Sequence, residues 1–436
     1  MTRRPVPWRV AGPFGALLLA VAGFLTVRGL ALYGDGSFYL VNIADAETVY
    51  GRTARLFVIA VRQAPTLVAV RAGVTDLHLL TVVLGVGQLV FPALVWLAAL
   101  VLARRSAAAF AVVALAAGIC TGTKALFNVG ESSFAVPVAL LVSVLLWQPA
   151  PWRLREGVLV IAASVVLVES HEVILFACGL NAVWAILRAR RADARAERSA
   201  AFAVASLAVL TIVLAVAELV EKRDNPPARG LADAVLALRP LELYTMLVTA
   251  AALLVLIGGA PGPRARLVLV SVGSPAALAS LFGLFATDGD AYSARGGAAL
   301  VGLIVASALL VAWLEPGGER FRLVDDRLAA TGALWCVVTV AALPLLALAA
   351  RGERWADSLA LFRAGVVARA GVVPVTDVLP EGRRQVLFDW TAMPLSLAVR
   401  DRPGAAILVD PAPTFVPFPP AEAHQHLRSQ FVWNDW

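Results

Sequence analysis

The sequence predicts an all-α polytopic membrane protein, with roughly eleven transmembrane helices read from apolar runs long enough to cross a bilayer. A cytoplasmic N-terminus, interfacial helices in the first outer loop and a small mixed α/β extracytoplasmic C-terminal region complete that expectation. Three observations lead to it. The 436-residue chain is 60% hydrophobic and only 15% charged, whereas soluble domains carry about 25% charged residues. Apolar stretches near spanning length recur from residue 10 to residue 350. Basic residues collect in alternate connecting segments, as they do in cytoplasmic loops.

In chain order, spans are expected over residues 10–32, 77–102, 107–123, 132–147, 158–168, 173–187, 200–220, 241–257, 267–286, 297–314 and 329–350. The fifth and sixth are short and flank Glu169, Ser170, His171 and Glu172, which suits a kinked hairpin. Arg3, Arg4 and Arg9 precede the first span and place the N-terminus inside. Arg104 and Arg105, Arg153 and Arg155, the basic run 188–198, Arg264 and Arg266, and Arg320, Arg322 and Arg327 then fall on the same side. An odd number of spans leaves the C-terminus outside. The first span is too long for a cleavable signal peptide, and no small-residue cleavage site follows it. The chain thus divides into a transmembrane domain over 1–350, whose first outer loop is 33–76, and an extracytoplasmic domain over 351–436.

The formal charge of +7 arises from 37 basic and 30 acidic residues. Basic inner loops account for that excess without a nucleic-acid partner. No zinc motif, Walker A sequence, GxGxxG fingerprint or short-period repeat is present. Cys120, Cys178 and Cys336 lie in separate apolar runs and read as small buried hydrophobes.

The first outer loop holds the chemistry. Asp35 stands between Gly34 and Gly36, which permit a tight turn that presents its carboxylate. A helix is expected to start at Ser37. Arg52, Arg55 and Arg62, spaced by three and seven, share a narrow arc of one helical face, with Phe57, Val58 and Val61 on other faces. That pattern predicts a helix in the interface plane, apolar into lipid and basic to water. Pro65 suits the first turn of a following short helix, Gly73 its end, and Thr75 or Asp76 the cap of the second span. The arginines are either anchors to anionic headgroups or a site for the phosphate of a lipid carrier, which guanidinium groups match in geometry. Lys124 and Arg295 lie in other outer loops and can add to such a site.

The same topology puts Glu131, Glu169 and Glu172 at outer helix ends. Ionisable groups near membrane depth are costly unless paired or lining an aqueous cavity, so a polar cavity is expected at the outer face. Residues 221–240 form a connector long enough to fold over it, and Ser271, Gly273, Ser274 and Pro275 suggest close helix packing or a kink. From Arg351 onward prolines become frequent and apolar runs short. Trp355, Trp390, Trp433 and Trp436 in this tail suit interface anchoring or core packing, with stacking on sugar rings as the alternative. With little core of its own, the tail is expected to dock on the membrane domain.

With a carboxylate just beyond the first span and a long outer loop bearing Asp35, Asp45, Arg52, Arg55 and Arg62, the chain resembles the GT-C superfamily of polytopic glycosyltransferases. The resemblance covers residues 1–135 best and the remaining layout more loosely. It implies an inverting transfer of sugar from a polyprenyl-phosphate donor to a cell-envelope glycan, lipid or protein acceptor. The site would face the extracytoplasmic side of an inner or plasma membrane. Asp35 matches the family's loop carboxylate by position, with Asp45 as the second choice, and would act as general base. Arg or Lys groups would stabilise the departing lipid phosphate, and Glu131, Glu169, His171 and Glu172 would hydrogen-bond sugar hydroxyls. The family often shows two adjacent acidic residues where this chain has Asp35 between glycines. A divalent metal is compatible with the chemistry, but no residue pattern indicates one. The alternatives are a transporter or flippase for a lipid-linked or small polar substrate, and a non-catalytic envelope scaffold.

Overall fold

The computed structural model describes residues 5–50, 55–122, 131–148, 151–170, 174–221, 332–381 and 389–411, together with residues 309, 326, 328, 413, 416, 425–427 and 430–431. The expected spans over 241–257 and 267–286, and all of 297–314 except Leu309, lie outside the described residues. So do the 222–240 connector, Ser271, Gly273, Ser274, Pro275, Trp433 and Trp436.

Helix α1 (Trp8–Val27) is followed by a 3-10 turn, Leu30–Leu32, and then by Gly34 at φ 57° and ψ −128°. Only glycine takes such a conformation without strain, and the reversal lets α2 (Asp35–Ala46) start at Asp35 itself rather than at Ser37. Next comes α3 (Leu56–Arg71), one helix that runs through Pro65. A proline inside a helix costs about 3 kcal/mol. Here buried residues on both sides of it, Val58, Arg62, Thr66 and Val70, hold the helix together.

Asp76 caps the next helix by accepting a hydrogen bond from the Leu79 amide at 2.9 Å. That span combines α4 (Leu77–Gly85), a π-helical turn (Val86–Val90) and α5 (Phe91–Ala103). It is followed by α6 (Ala107–Gly122), α7 (Ser132–Trp147), α8 (Leu154–Leu167), α9 (Leu175–Arg191) and α10 (Arg195–Glu221). Helices α6 and α7 are apolar on every face and buried nearly all round, as interior helices are. Gly118 and Gly122 of α6 lie against Ala341 and Pro344, on α11 (Ala333–Val367). Helix α7 is flanked by α5, α8 and α9.

Outward positions such as Leu79, Leu94, Val101, Val209, Val213 and Val216 are large, apolar and exposed. Among the described residues, four helices are long and apolar enough to cross a membrane: Trp8–Val27, Leu77–Ala103, Arg195–Ala217 and Ala333–Val367. The chain is a predominantly helical membrane protein. Cys120 and Cys178 are buried, but Cys336 is exposed on α11, so the sequence reading of three buried thiols fails there: an apolar run does not say which side of a helix faces outward.

The basic connections gather at one end. The Val6 amide donates to the Arg104 carbonyl at 2.8 Å, and the Arg104 guanidinium sits 3.8 Å above the Trp8 ring. Arg188 pairs with Glu197 at 2.7 Å, donates to the carbonyls of Leu146 and Gln148, and lies 4.3 Å over the Trp152 ring. Burial lowers the Arg188 pKa, and the Glu197 carboxylate works against that.

At the opposite end, α11 continues well past Arg351, so the composition shift there falls inside a helix. Trp355 is buried, donates to the Gly29 carbonyl at 3.0 Å and meets Tyr33 edge to face. Beyond it, β1 (Val372–Pro374) pairs in parallel with β2 (Ile407–Val409), in the register Val372↔Ile407. Helix α12 (Ala392–Val399) bridges this ribbon and α2. Its Ser396 hydroxyl accepts the Leu408 amide at 2.9 Å. The C-terminal region therefore rests on α2, in the segment between the first two spans.

Candidate functional site

The rotation of α3 sets the site. Its buried positions, Val58, Arg62, Thr66 and Val70 with Ile59 and Gln63 beside them, form one stripe, while Leu56, Phe57 and Val68 are exposed. Arg62 is only 1% exposed. The sequence predicts the reverse, a basic face turned to water. Spacing shows that Arg55 and Arg62 share a face but not where that face points. Apolar residues take the outer surface of α3, and the guanidinium groups turn into the protein. Gly87, in the π-helical turn, lies so close to the Arg62 carbonyl that any Cβ would collide with it; the glycine is what lets α3 seat against the second span.

Glu131, immediately before α7 and 3% exposed, joins three helices. Its Oε1 accepts the Tyr39 hydroxyl of α2 at 2.7 Å, and its Oε2 pairs with Arg55, at the start of α3, at 3.1 Å. Burial first, then the Glu131 carboxylate, then Asp35 raise the Tyr39 pKa well above its ordinary 10.0, against a smaller pull from Arg62. The phenol therefore stays protonated and donates to Glu131. Asp35, half-buried in the first turn of α2, lies one helical turn before Tyr39 and within its electrostatic reach. Asp35, Tyr39, Arg55, Arg62 and Glu131 thus form one group of two carboxylates, two guanidinium ions and a neutral hydroxyl.

Around this group, four buried atoms have no hydrogen-bond partner among the described residues: Ser37 Oγ on α2, Thr66 Oγ1 on α3, Gln88 Oε1 in the π-helical turn and Ser132 Oγ at the start of α7. Buried polar atoms are almost always paired, so these four leave hydrogen-bonding capacity among α2, α3, the π-helical turn and α7.

Other expected site residues go elsewhere. Asp45 receives the strap near the C-terminus: His426 Nδ1 lies 3.0 Å from its Oδ2, and the Leu427 amide donates to its Oδ1 at 3.5 Å. Arg400, 1% exposed, donates to the His426 and Leu427 carbonyls behind them, and burial lowers its pKa to about 10. Glu169 occupies the turn after α8 at φ 50° and is half-buried; among the described residues no hydrogen bond or ion pair joins it to the Tyr39 group. Arg52, Lys124, His171, Glu172 and Arg295 lie outside the described residues.

The sequence reading missed Tyr39, Gln63 and Gln88. Asp35 and Tyr39 stand four apart, the spacing of neighbours on one helical face, and that was the available signal. Gln63 clamps Tyr50, accepting its amide at 2.8 Å and donating to its carbonyl at 2.6 Å. Arg71 donates to the Glu47 carbonyl at 3.1 and 3.2 Å. Together these two contacts fold the loop between α2 and α3 back on α3. Among the described residues, no group of three or more His, Cys, Asp or Glu side chains is arranged to hold a metal ion. Comparison with known proteins supplies no relative: no family model, no curated protein and no solved structure matches the chain.

Proposed function

We propose that the chain is an inverting membrane glycosyltransferase. In this reading it takes a sugar from a polyprenyl-phosphate donor and passes it to a cell-envelope glycan, lipid or protein acceptor at the outer face of the inner or plasma membrane. The about eleven-span layout and the likeness to the GT-C superfamily belong to the same proposal. The observation that carries it is the position of Asp35: just past α1, in the first turn of α2, and within electrostatic reach of a buried tyrosine that is hydrogen-bonded to Glu131.

Asp35 takes the proton of the acceptor hydroxyl. The acceptor oxygen forms its bond to the anomeric carbon as the bond from that carbon to the phosphate oxygen breaks, and the electron pair leaves with the lipid phosphate. Charge builds on that phosphate in the transition state, where a preorganised cation in a site of low dielectric is most effective. Arg62 is the group assigned to it. Arg55 is engaged with Glu131 and has a positioning role, as does Tyr39, whose raised pKa rules it out as the base near neutral pH.

One observation favours a second reading. The π-helical turn Val86–Val90 interrupts the second span beside the Arg62 backbone, and interrupted helices carry substrate sites in transporters. Sugar release from a panel of polyprenyl-phosphate sugars, measured on purified wild type and on Asp35→Asn, separates the two. Turnover by wild type that the variant lacks is the expected outcome. No turnover by wild type across the panel, with lipid-linked sugar moved across vesicles, would establish the transporter instead.

A further inference from the structure

We infer that the partly exposed stripe of α2, closed by Tyr50 and Trp390, is the acceptor subsite, and that it takes a neutral, hydroxyl-rich glycan. This inference rests on the transferase reading. Helix α2 buries Ser37, Tyr39, Leu40, Val41, Ile43 and Ala44. Asp35, Phe38 and Asn42 remain partly exposed and Asp45 is exposed, at intervals of three, four and three that keep them on one face. Asp35 stands at one end of this stripe and Asp45, tied to His426, at the other, about 15 Å apart at the rise of an α-helix. That length suits a short oligosaccharide better than a single sugar.

Between the carboxylates lies an aromatic group built from three segments. Phe38 meets Tyr50 edge to face at 5.1 Å and Trp390 edge to face at 5.9 Å. Gln63 holds the Tyr50 backbone from both sides, and the packing of α12 on α2 places Trp390. Asn42 ties its amide nitrogen to the Phe38 carbonyl at 2.7 Å, and its amide oxygen takes no hydrogen bond among the described residues. Rigid rings pack against the C–H faces of sugars, while carboxylate and amide oxygens accept from sugar hydroxyls.

Charge fixes the choice of occupant. The stripe presents Asp35 at one end and Asp45, paired with His426, at the other. The cations of α3 and its N-cap are turned elsewhere: Arg55 to Glu131, Arg71 to the Glu47 carbonyl, and Arg62 into the buried stripe. A phosphate is disfavoured here and a neutral glycan is not. Asp35 shares this stripe with Phe38 and, with Arg62, acts on the buried Tyr39, a position that suits a base between donor and acceptor.

The test uses full-length protein in detergent and an array of neutral di- to tetrasaccharides, followed by titration of those that bind. We expect Trp390→Ala to weaken binding about tenfold and Asn42→Ala a few-fold, while Trp390→Phe stays near wild type. Asn42 is partly exposed, so its variant reports even if Trp390→Ala fails to fold. Absence of any bound neutral glycan, or equal binding by all variants, overturns the inference. If that happens while Asp35-dependent sugar release from the donor continues, the transferase reading stands without this subsite. Glycan binding that the variants weaken, without any donor turnover, keeps the site and removes the transferase reading.

Discussion

The two ends of the helical bundle both bury charged and polar side chains, and they handle them differently. At the basic end, Arg188 has the Glu197 carboxylate, two backbone carbonyls and the face of Trp152. Gln148 accepts from Arg105 and donates to the Leu102 carbonyl. The Arg188 and Gln148 side chains there are fully engaged, although Arg104 Nη1 at the same end has no hydrogen-bond partner among the described residues. At the other end, Glu131 is satisfied by Tyr39 and Arg55, but Ser37, Thr66, Gln88 and Ser132 keep buried atoms without partners among the described residues. A saturated buried network supports structure, since each of its groups is repaid within the fold. An unsaturated one is costly unless something else binds.

The largest expected effect breaks the saturated end. Arg188→Met leaves Glu197, 6% exposed, as a buried charge without its counterion, which costs about 3–5 kcal/mol. Adding Glu197→Leu should recover most of it, because a matched apolar pair replaces a buried ion pair with little penalty. Thermal unfolding of the single and double variants checks both statements. Turnover per folded molecule should not change in either.

Glu131→Gln tests the open end. It removes the charge opposite Arg55 while keeping an acceptor for Tyr39, and we expect about 1–3 kcal/mol of lost stability together with reduced turnover. Here replacing both partners should restore the fold without restoring activity, whereas at the basic end activity is never lost. Tyr39→Phe is milder, at about 1 kcal/mol. Because the folded pKa of Tyr39 lies above the ordinary 10.0, its contribution is fully present below that pH and is lost as pH rises toward the folded value. Stability of Tyr39→Phe should accordingly depend less on pH on the alkaline side than wild type. The smallest effect belongs to Asp45→Asn. Its contact with His426 is partly exposed on both sides and is worth about 0.2–1 kcal/mol. We expect faster proteolysis of the segment around His426 and little change in global unfolding.

Several parts of this architecture are legible in the sequence. Apolar runs give the second span, α6 and α7 nearly to the residue, and the Asp76 cap follows from its side chain and place in the chain. Alternate basic loops are enough to predict that Arg104, Arg105, Arg153 and Arg188 collect at one end. Helical spacing puts Arg55 and Arg62 on one face. The direction of that face is not legible, because rotation of α3 is decided by packing on the π-helical turn at Gly87. The Tyr39–Glu131 contact and the Asp45–His426 contact join residues 92 and 381 positions apart, and no local pattern encodes either. The continuation of α11 past Arg351 is also hidden, since a change from apolar to mixed composition does not by itself end a helix.

The central claim is that function belongs to the Asp35–Tyr39–Glu131 group and structure to the saturated Arg188 network. The most direct test compares Asp35→Asn and Arg188→Met in parallel, measuring sugar release from polyprenyl-phosphate donors and thermal unfolding on the same preparations. The account predicts that Asp35→Asn loses turnover by about a hundredfold or more at nearly wild-type stability, and that Arg188→Met loses stability at wild-type turnover per folded molecule. Turnover retained by Asp35→Asn, or abolished in folded Arg188→Met, would contradict it.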